Sequence, residues 1–208
     1  MQKNHIMTKT LTLLTFLIIA SFSLNAQNDY NRTDNLGRRQ GKWIDYHLNG
    51  NVRCKGEFKD NEPTGEFIYY SEGGEMIAKG KYDNKKKQGQ WEYYSADEGS
   101  LILVENYKDG MIIGKTVAYS PITHNVIEEI EYVNNVKEGI FNKYYDNGRI
   151  MIKASYRNDK LDGNYIFYYP NTMPKEEGQY KEGDKVGEWK TYDMEGNIIS
   201  VDKYDKEF

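Results

Sequence analysis

Chemically reactive side chains are few in this sequence, and their spacing does not assemble a catalytic group. His47 and His124 are the only histidines after the first 26 residues, and they lie 77 positions apart. The single cysteine, Cys54, has no second thiol with which to form a disulfide or a metal site. Catalysis needs a nucleophile with a base, or a metal cluster, at close range. We therefore predict a protein that is not an enzyme, with no catalytic, metal-binding or cofactor-binding residues.

Acidic residues are plentiful, and two further chemistries have to be weighed for them. Glu128–Glu129 and Glu176–Glu177 are adjacent carboxylates, the residue type that glycoside hydrolases use. That reaction needs two carboxyl groups facing each other across about 5 to 9.5 Å, whereas adjacent residues of a strand point to opposite faces. Aspartates such as Asp60 and Asp159 lack the alternating ligand spacing of a calcium loop. We interpret these acids as solvated charges.

The composition excludes nucleic acid as a partner and favours a repetitive β protein. The 208 residues carry a formal net charge of −4, and the one basic run, Lys85–Lys87, is isolated. Nucleic-acid binding needs a clustered basic face, so we read this run as a solvated loop tip that makes no membrane contact. The chain contains 19 tyrosines and 19 glycines, which differs from the aliphatic core of an ordinary globular domain.

Residues 1–26 are typical of a secretory signal peptide. Lys3 and Lys9 precede an apolar run at 11–20, and small residues stand just before Gln27. The apolar run is shorter than the roughly 20 residues that a membrane-spanning helix needs. We predict cleavage near Gln27 and a periplasmic, outer-membrane-associated or secreted protein. Removal of the two lysines takes the formal charge from −4 to −6.

Seven glycines at nearly constant spacing divide the rest of the chain into repeats. The steps between these leading glycines are 24, 24, 25, 25, 24 and 24 residues, which chance does not produce. A fixed period of this kind is the signature of a repeat architecture in which each unit packs on its neighbours. We predict a partial repeat or cap at 27–40, followed by units one to seven at 41–64, 65–88, 89–113, 114–138, 139–162, 163–186 and 187–208.

Each unit repeats the same aromatic pattern relative to its leading glycine. A tyrosine always follows five residues after the glycine, and an aromatic residue stands two residues after it in every unit except the fourth, which has Thr116. A second aromatic residue lies seven positions before the next leading glycine, with Tyr204 completing the last unit. The repeat-defining structural residues are Gly41, Trp43, Tyr46, Phe58, Gly65, Phe67, Tyr70, Tyr82, Gly89, Trp91, Tyr94, Tyr107, Gly114, Tyr119, Tyr132, Gly139, Phe141, Tyr144, Tyr156, Gly163, Tyr165, Tyr168, Tyr180, Gly187, Trp189, Tyr192 and Tyr204.

The local sequence of each unit predicts a β-hairpin. Aromatic and β-branched residues suit a pleated strand, and Asn49-Gly50 or Asn147-Gly148 supplies positive φ angles for a tight reversal. Polar loops such as 59–64 and 157–162 would return the chain to the next glycine. No stretch after the signal peptide has helical periodicity. We predict an all-β protein: an elongated, single-layer ribbon of about seven antiparallel hairpins and fourteen strands.

Side-chain alternation predicts how the aromatic rings are distributed. Positions two and five after the glycine differ in strand parity, so they face opposite sides of the ribbon. We expect rings to stack from unit to unit along each face. Gly56, Gly80 and Gly178 stand two residues before the second aromatic residue and would leave room for a neighbouring ring. Units three and four are each one residue longer than the others. In unit four the segment 120–125 replaces a glycine turn, and we expect a kink there rather than a projecting binding loop.

These residues resemble a known repeat family. Tyr180–Trp189 reads Tyr-x-x-Gly-x-x-x-Gly-x-Trp, which looks like the MORN motif, and the 24-residue step is similar to that of the bacterial MORN-variant repeat. The resemblance covers about residues 32–208 and extends to proteins described as YwqK-family antitoxins. It implies a MORN-like solenoid of hairpins.

A protein-binding or scaffolding module in the bacterial envelope is the function that these observations favour. One alternative is a carbohydrate- or peptidoglycan-binding protein, in which exposed rings stack on sugars. The other is an antitoxin-like protein that neutralises a partner toxin by direct contact. Ring exposure separates the glycan alternative from the others, because buried rings cannot stack on sugars. Since the repeated residues specify the fold, function is expected where the repeats vary.

Overall fold

The computed structural model describes residues 30–204, and within that range every regular element is a β-strand. The predicted signal peptide and residues 27–29 of the predicted cap lie outside the described residues. No helix that could cross a membrane occurs between residues 30 and 204. The strands are β1 (Arg32–Thr33), β2 (Arg39–Tyr46), β3 (Val52–Lys59), β4 (Glu62–Tyr70), β5 (Met76–Asp83), β6 (Lys86–Tyr94), β7 (Leu101–Lys108), β8 (Met111–Ile112), β9 (Gly114–Tyr119), β10 (Val126–Val133), β11 (Val136–Tyr144), β12 (Ile150–Arg157), β13 (Lys160–Leu161), β14 (Gly163–Tyr168), β15 (Pro174–Lys181), β16 (Asp184–Tyr192) and β17 (Ile198–Tyr204).

The strands form one open antiparallel sheet in which consecutive strands pair, except that β9 pairs with β7 and β14 pairs with β12. The short strands β8 and β13 are continued by β9 and β14 after one unpaired residue, Ile113 or Asp162. Fourteen long strands therefore run from β2 to β17, and β1 adds a short pairing with Arg39 and Gln40 at the edge of β2. The predicted fold class, a single-layer ribbon of antiparallel hairpins, is confirmed.

The turns between units are tighter than the sequence suggested, so the predicted polar loop at 59–64 is wrong. Lys59 already pairs with Glu62, and only Asp60 and Asn61 lie between the strands, with φ angles of 53° and 69°. Two positive φ angles define the type I′ reversal that matches strand twist, and Asn and Asp tolerate them. The turn at Asn49-Gly50 is the longer one, because the five residues 47–51 separate β2 from β3.

Glycine bulges interrupt the pairing between successive units. The register of the β3–β4, β5–β6 and β15–β16 pairs shifts at Gly56, Gly80 and Gly178. A bulge inserts one residue into one strand, bends that strand and increases its twist. After units three and five the irregularity instead falls on the following strand, at Ile113 and Asp162. The pair β10–β11 is irregular at Glu131, and a second register shift falls inside each hairpin, as between Asp45 and Tyr46 in the first.

Burial in this single layer comes from rings that lie on neighbouring backbone. The most enclosed side chains in the described chain are those of Trp91, Trp189 and Phe67, at 1%, 2% and 2% exposure. A Cβ atom at Gly56 would lie 2.5 Å from the Phe67 ring, and Cβ atoms at Gly80 and Gly178 would overlap Trp91 and Trp189. The predicted role of these three glycines in leaving room for a ring is confirmed.

The extra residues of units three and four lengthen turns. Six residues, 95–100 and 120–125, separate the strands there, and β7, β9 and β10 remain paired with one another. Ile122 is 83% exposed at the tip of the second turn. We find a longer turn in unit four and no break in the sheet pairing.

Candidate binding surfaces

The two sides of the sheet differ in chemistry. We call the side that carries Trp91 and Tyr107 the aromatic face, and the side that carries Glu92 and Tyr94 the outer face. On the aromatic face, rings at position two and the second aromatic residues alternate from strand to strand. From Trp43 to Tyr107 their centroids are 5.1 to 6.3 Å apart at interplanar angles of 72° to 81°. Edge-to-face pairs of this kind contribute about 0.5 to 1.5 kcal/mol each beyond burial.

The aromatic face carries a second set of tyrosines, four residues after the leading glycine, that was not predicted from the sequence. Tyr69 stacks on Phe67 at 6.0 Å, and the Tyr93 ring lies 6.3 Å from that of Trp91. The Tyr93 hydroxyl lies 3.3 Å from that of Tyr107, and burial raises the pKa of Tyr69 and Tyr93. Burial, followed by the bond to Glu105, raises the pKa of Tyr107 to about 12. These tyrosines were not predicted because only some units carry an aromatic residue at this position.

Basic side chains cover the rings in alternate units. The residue two before the leading glycine is Arg39, Lys87, Lys137 or Lys185 in the odd units and apolar in the even units. Lys87 lies 4.4 Å from the centroid of Trp91, and Lys185 lies 3.8 Å from that of Trp189. Burial lowers the pKa of Lys87. This alternation of basic and apolar residues is visible in the sequence when the residue two before each leading glycine is compared from unit to unit.

The run Lys85–Lys87, predicted to be a solvated loop tip, is divided between two environments. Lys85 lies in the turn and its ammonium is 2.7 Å from a carboxylate oxygen of Glu62. Lys87 belongs to β6, is half-buried on the aromatic face and donates to the Tyr93 hydroxyl at 2.7 Å. The prediction is therefore wrong for Lys87, because strand alternation turns its stem toward the rings.

The tyrosines five residues after the glycine behave differently from the prediction. Within residues 30–204 they form no ring-to-ring stack on the outer face; instead Lys55 and Lys79 lie 5.6 and 5.8 Å from the centroids of Tyr70 and Tyr94. Successive tyrosines of this set are two strands apart, about 10 Å, and the strand between them supplies a lysine there rather than a ring. The exposed fraction of Tyr46 is 55%.

Adjacent carboxylates separate onto the two faces, which removes the geometry of a glycoside hydrolase. Glu177 accepts a hydrogen bond from the Tyr192 hydroxyl at 2.6 Å on the outer face, whereas Glu176 contacts Lys185 at 2.5 Å on the aromatic face. Glu129 likewise accepts from the Tyr144 hydroxyl at 2.8 Å. The interpretation as solvated charges is therefore wrong for Glu129, Glu176 and Glu177, whose oxygens contact protein donors.

Two open grooves lie on the outer face at equivalent places in the array. Their volumes are about 380 and 460 Å³, and the backbone of Gly80 or Gly178 forms part of each floor. The bulge bends the strand there, and the glycine leaves the floor without a side chain. The side chains around the first are Glu66, Ile68, Lys79, Lys81, Gln90 and Glu92, and those around the second are Asn164, Ile166, Glu177, Gln179, Glu188 and Lys190.

The grooves are four repeats apart. Eight strand spacings separate them, which corresponds to about 40 Å along the sheet. Lys79 and Glu92 form an ion pair of 2.9 Å in the first groove, whereas the second has two glutamates and one lysine. One extended partner could engage both grooves at once.

The histidines and the cysteine occupy separate local environments. Cys54 is 6% exposed in the middle of β3, and burial raises the pKa of its thiol. The His47 ring contacts the Tyr70 carbonyl oxygen at 3.0 Å, and His124 lies in a turn with a φ of 60°. Between residues 30 and 204 no group of three potential metal ligands converges.

The sequence matches the MORN repeat variant over three segments, 39–60, 137–158 and 161–182. Each segment begins two residues before a leading glycine, at the position that alternates between basic and apolar residues. No curated protein matches the chain. MORN repeats commonly mediate protein or membrane binding, and three hairpins of this ribbon match the model of the variant repeat.

Proposed function

We propose that this chain is an exported repeat module that binds another protein through its outer face. The observation that carries the proposal is the pair of grooves on that face, which lie at the same place in units two to three and six to seven. Long repeat arrays use such extended surfaces for recognition. A stable interface buries about 800 Å² on each partner, so the partner has to cover more than one groove.

The chemistry around the grooves supports a protein partner. Apolar Ile68 and Ile166 stand among charged and amide side chains, which resembles an apolar interface centre within a polar rim. Three of the rings that could have stacked on sugars are enclosed, although Tyr46 is exposed. Phe67, Trp91 and Trp189 are each at most 2% exposed, so their faces are not available to a glycan.

Export is proposed from the sequence of residues 1–26 alone. It places the partner in the periplasm, in the outer membrane or outside the cell. The antitoxin alternative instead requires a toxin as partner and retention in the cytoplasm. Fractionation of cells that express the full chain with a C-terminal tag distinguishes the two compartments, and Edman sequencing of the exported form checks for cleavage near Gln27.

In-cell crosslinking followed by mass spectrometry tests the binding proposal. We expect one abundant envelope protein attached to the tagged chain. The double variant Ile68→Arg/Ile166→Arg should lose this partner, because it puts a charge into the apolar part of both grooves. Leu48→Arg is the matched control, since Leu48 is fully exposed on a turn. Retention of the partner by a folded double variant, or recovery of the tag on peptidoglycan alone, contradicts the proposal.

A further inference from the structure

The two ends of the sheet differ in how their outer edges are occupied. At the first end, β1 pairs with Arg39 and Gln40 of β2. Farther along β2, the backbone N–H of Asn31 donates to the Lys42 carbonyl oxygen at 2.9 Å. The Asn31 side-chain amide accepts from the Ile44 N–H at 2.7 Å and donates to the Ile44 carbonyl oxygen at 3.0 Å. This edge of β2 is therefore occupied by a segment of its own chain.

At the other end, the outer edge of β17 has no paired strand among residues 30–204, because β17 pairs along its other side with β16. The side chains of Ile198, Ile199 and Val201 on this strand are 56%, 64% and 46% exposed. An edge strand presents a row of N–H and C=O groups that can pair with another chain, and an apolar edge is the most prone to do so. β17 is therefore suited to association through its strand edge.

The charged residues of β17 protect this edge only weakly. Proteins commonly keep an edge strand from pairing with charged side chains, especially lysine, or with proline. β17 contains no proline and a single lysine, Lys203. The Lys203 ammonium lies 3.3 Å from a carboxylate oxygen of Glu188 on β16, so its charge is partly balanced within the sheet.

The occupied edge of β2 opposes a head-to-tail array of copies, in which β17 of one copy would pair with β2 of the next. β17 can instead pair with β17 of a second copy, because a two-fold axis perpendicular to the sheet makes the two strands antiparallel. Opposite residues of such a pair lie on the same face of the sheet. With Val201 on the axis, Val201 faces Val201, Ser200 faces Asp202, and Ile199 faces Lys203 of the other copy.

This register brings compatible side chains together. On the outer face, Ile199 and Val201 of both copies form an apolar cluster, against which the aliphatic stem of Lys203 packs. On the aromatic face, the Ser200 hydroxyl is placed to donate to the Asp202 carboxylate. A register centred on Asp202 or on Lys203 would instead set like charges directly opposite each other, which is destabilising. The sequence of β17 is therefore self-complementary about Val201.

We propose that two copies of this chain associate by antiparallel pairing of β17 with β17, with Val201 at the two-fold axis. An interface of two short strands belongs to the small, transient class, so the dimer should dissociate on dilution. The axis keeps the outer faces of both copies on the same side of one continuous sheet. The dimer does not rest on the proposed function, but it would present the grooves of both copies to one partner, and linked sites bind more tightly than single ones.

Sedimentation equilibrium of the untagged mature chain tests this dimer. We expect a reversible equilibrium between monomer and dimer. Val201→Lys and Val201→Asp should each weaken dimerisation by at least about tenfold, because like charges then meet at the axis. An equimolar mixture of the two variants should associate again as a heterodimer, because lysine then faces aspartate. Circular dichroism should show the wild-type fold in both variants, since Val201 is at an exposed position.

Ile140→Lys is the matched control, because Ile140 is 54% exposed on the interior strand β11. This variant should dimerise as strongly as the wild type. A monomeric wild type, undiminished dimerisation of Val201→Lys, a mixture that stays monomeric, or growth beyond the dimer overturns the proposal. The outer-face proposal is tested separately, since the groove variant Ile68→Arg/Ile166→Arg should lose the crosslinked partner and still dimerise.

Discussion

The indole ring of Trp91 lies directly on the backbone of Gly80 in the neighbouring strand, where no side chain could fit. Its N–H donates to the carbonyl oxygen of Lys81 at 3.2 Å, which fixes the ring over the bulge. The same relationship joins Trp189 with Gly178 and its neighbour Gln179. This pairing explains how a single-layer sheet encloses its rings without a covering layer.

Gly80→Val should destabilise the protein by about 2 to 4 kcal/mol, because the new side chain must displace the Trp91 ring. Urea denaturation measures the change in free energy of unfolding. Lys81→Val is the control, since it adds the same side chain to the adjacent, exposed position of the strand and should change stability by less than about 0.5 kcal/mol. Gly56→Val should act in the same direction as Gly80→Val through Phe67. An undiminished melting temperature in both glycine variants would contradict this packing.

Lys87→Met should lower the free energy of unfolding by about 1 kcal/mol, because methionine retains the apolar stem and removes the cation above Trp91 and Tyr107. Thermal and urea unfolding of the purified variant check the effect. The neighbouring Lys86→Met serves as control, since Lys86 is exposed. Equal stabilities of the two variants would show that the charge above the rings contributes nothing.

Stability should fall as the pH rises above about 10. Tyr69, Tyr93 and Tyr107 have a raised pKa in the folded protein, so the unfolded chain loses these protons first, from the ordinary value of 10.0. Above that pH the folded state binds more protons than the unfolded state, and rising pH favours unfolding. The lowered pKa of Lys87 acts in the opposite direction just below 10.5.

The melting temperature measured between pH 8 and pH 11 checks this prediction. Tyr93→Phe should flatten the alkaline decline, because it removes one of the half-buried hydroxyls whose pKa is raised. Tyr46→Phe, at an exposed ring, should leave the slope unchanged. A melting temperature that is constant or rises from pH 10 to pH 11 would contradict a raised pKa for these tyrosines in the folded protein.

Thr116→Val should stabilise the protein by about 1 kcal/mol. The Thr116 hydroxyl oxygen is buried without a hydrogen-bond partner among the described residues, and valine has nearly the same shape without the polar atom. Thr116→Ser, which keeps the hydroxyl and removes a methyl group, should instead destabilise. Urea denaturation of both variants measures the change in free energy of unfolding. The change should be positive for Thr116→Val and negative for Thr116→Ser if the hydroxyl is unsatisfied, and it should have the same sign for both variants otherwise.

The period of glycines and tyrosines was sufficient to predict the hairpins, because it sets strand length and ring spacing together. The turn at Asp60-Asn61 was misread as part of a loop, since polar composition does not distinguish a two-residue type I′ turn from a longer connection. Lys87 was misread because its place on the ring face depends on strand parity relative to Trp91. The grooves could not be predicted, because they arise from bulges whose position depends on how β5 pairs with β6.

Site-specific photocrosslinking of the full chain in cells tests the central claim most directly. A photoreactive residue would be placed at Gln90 in the first groove, at Glu188 in the second and at exposed Leu48 as control. We predict that the same protein is captured from Gln90 and Glu188 and not from Leu48. Capture of that protein from Leu48 alone, or of no protein from either groove, would contradict binding through the outer face.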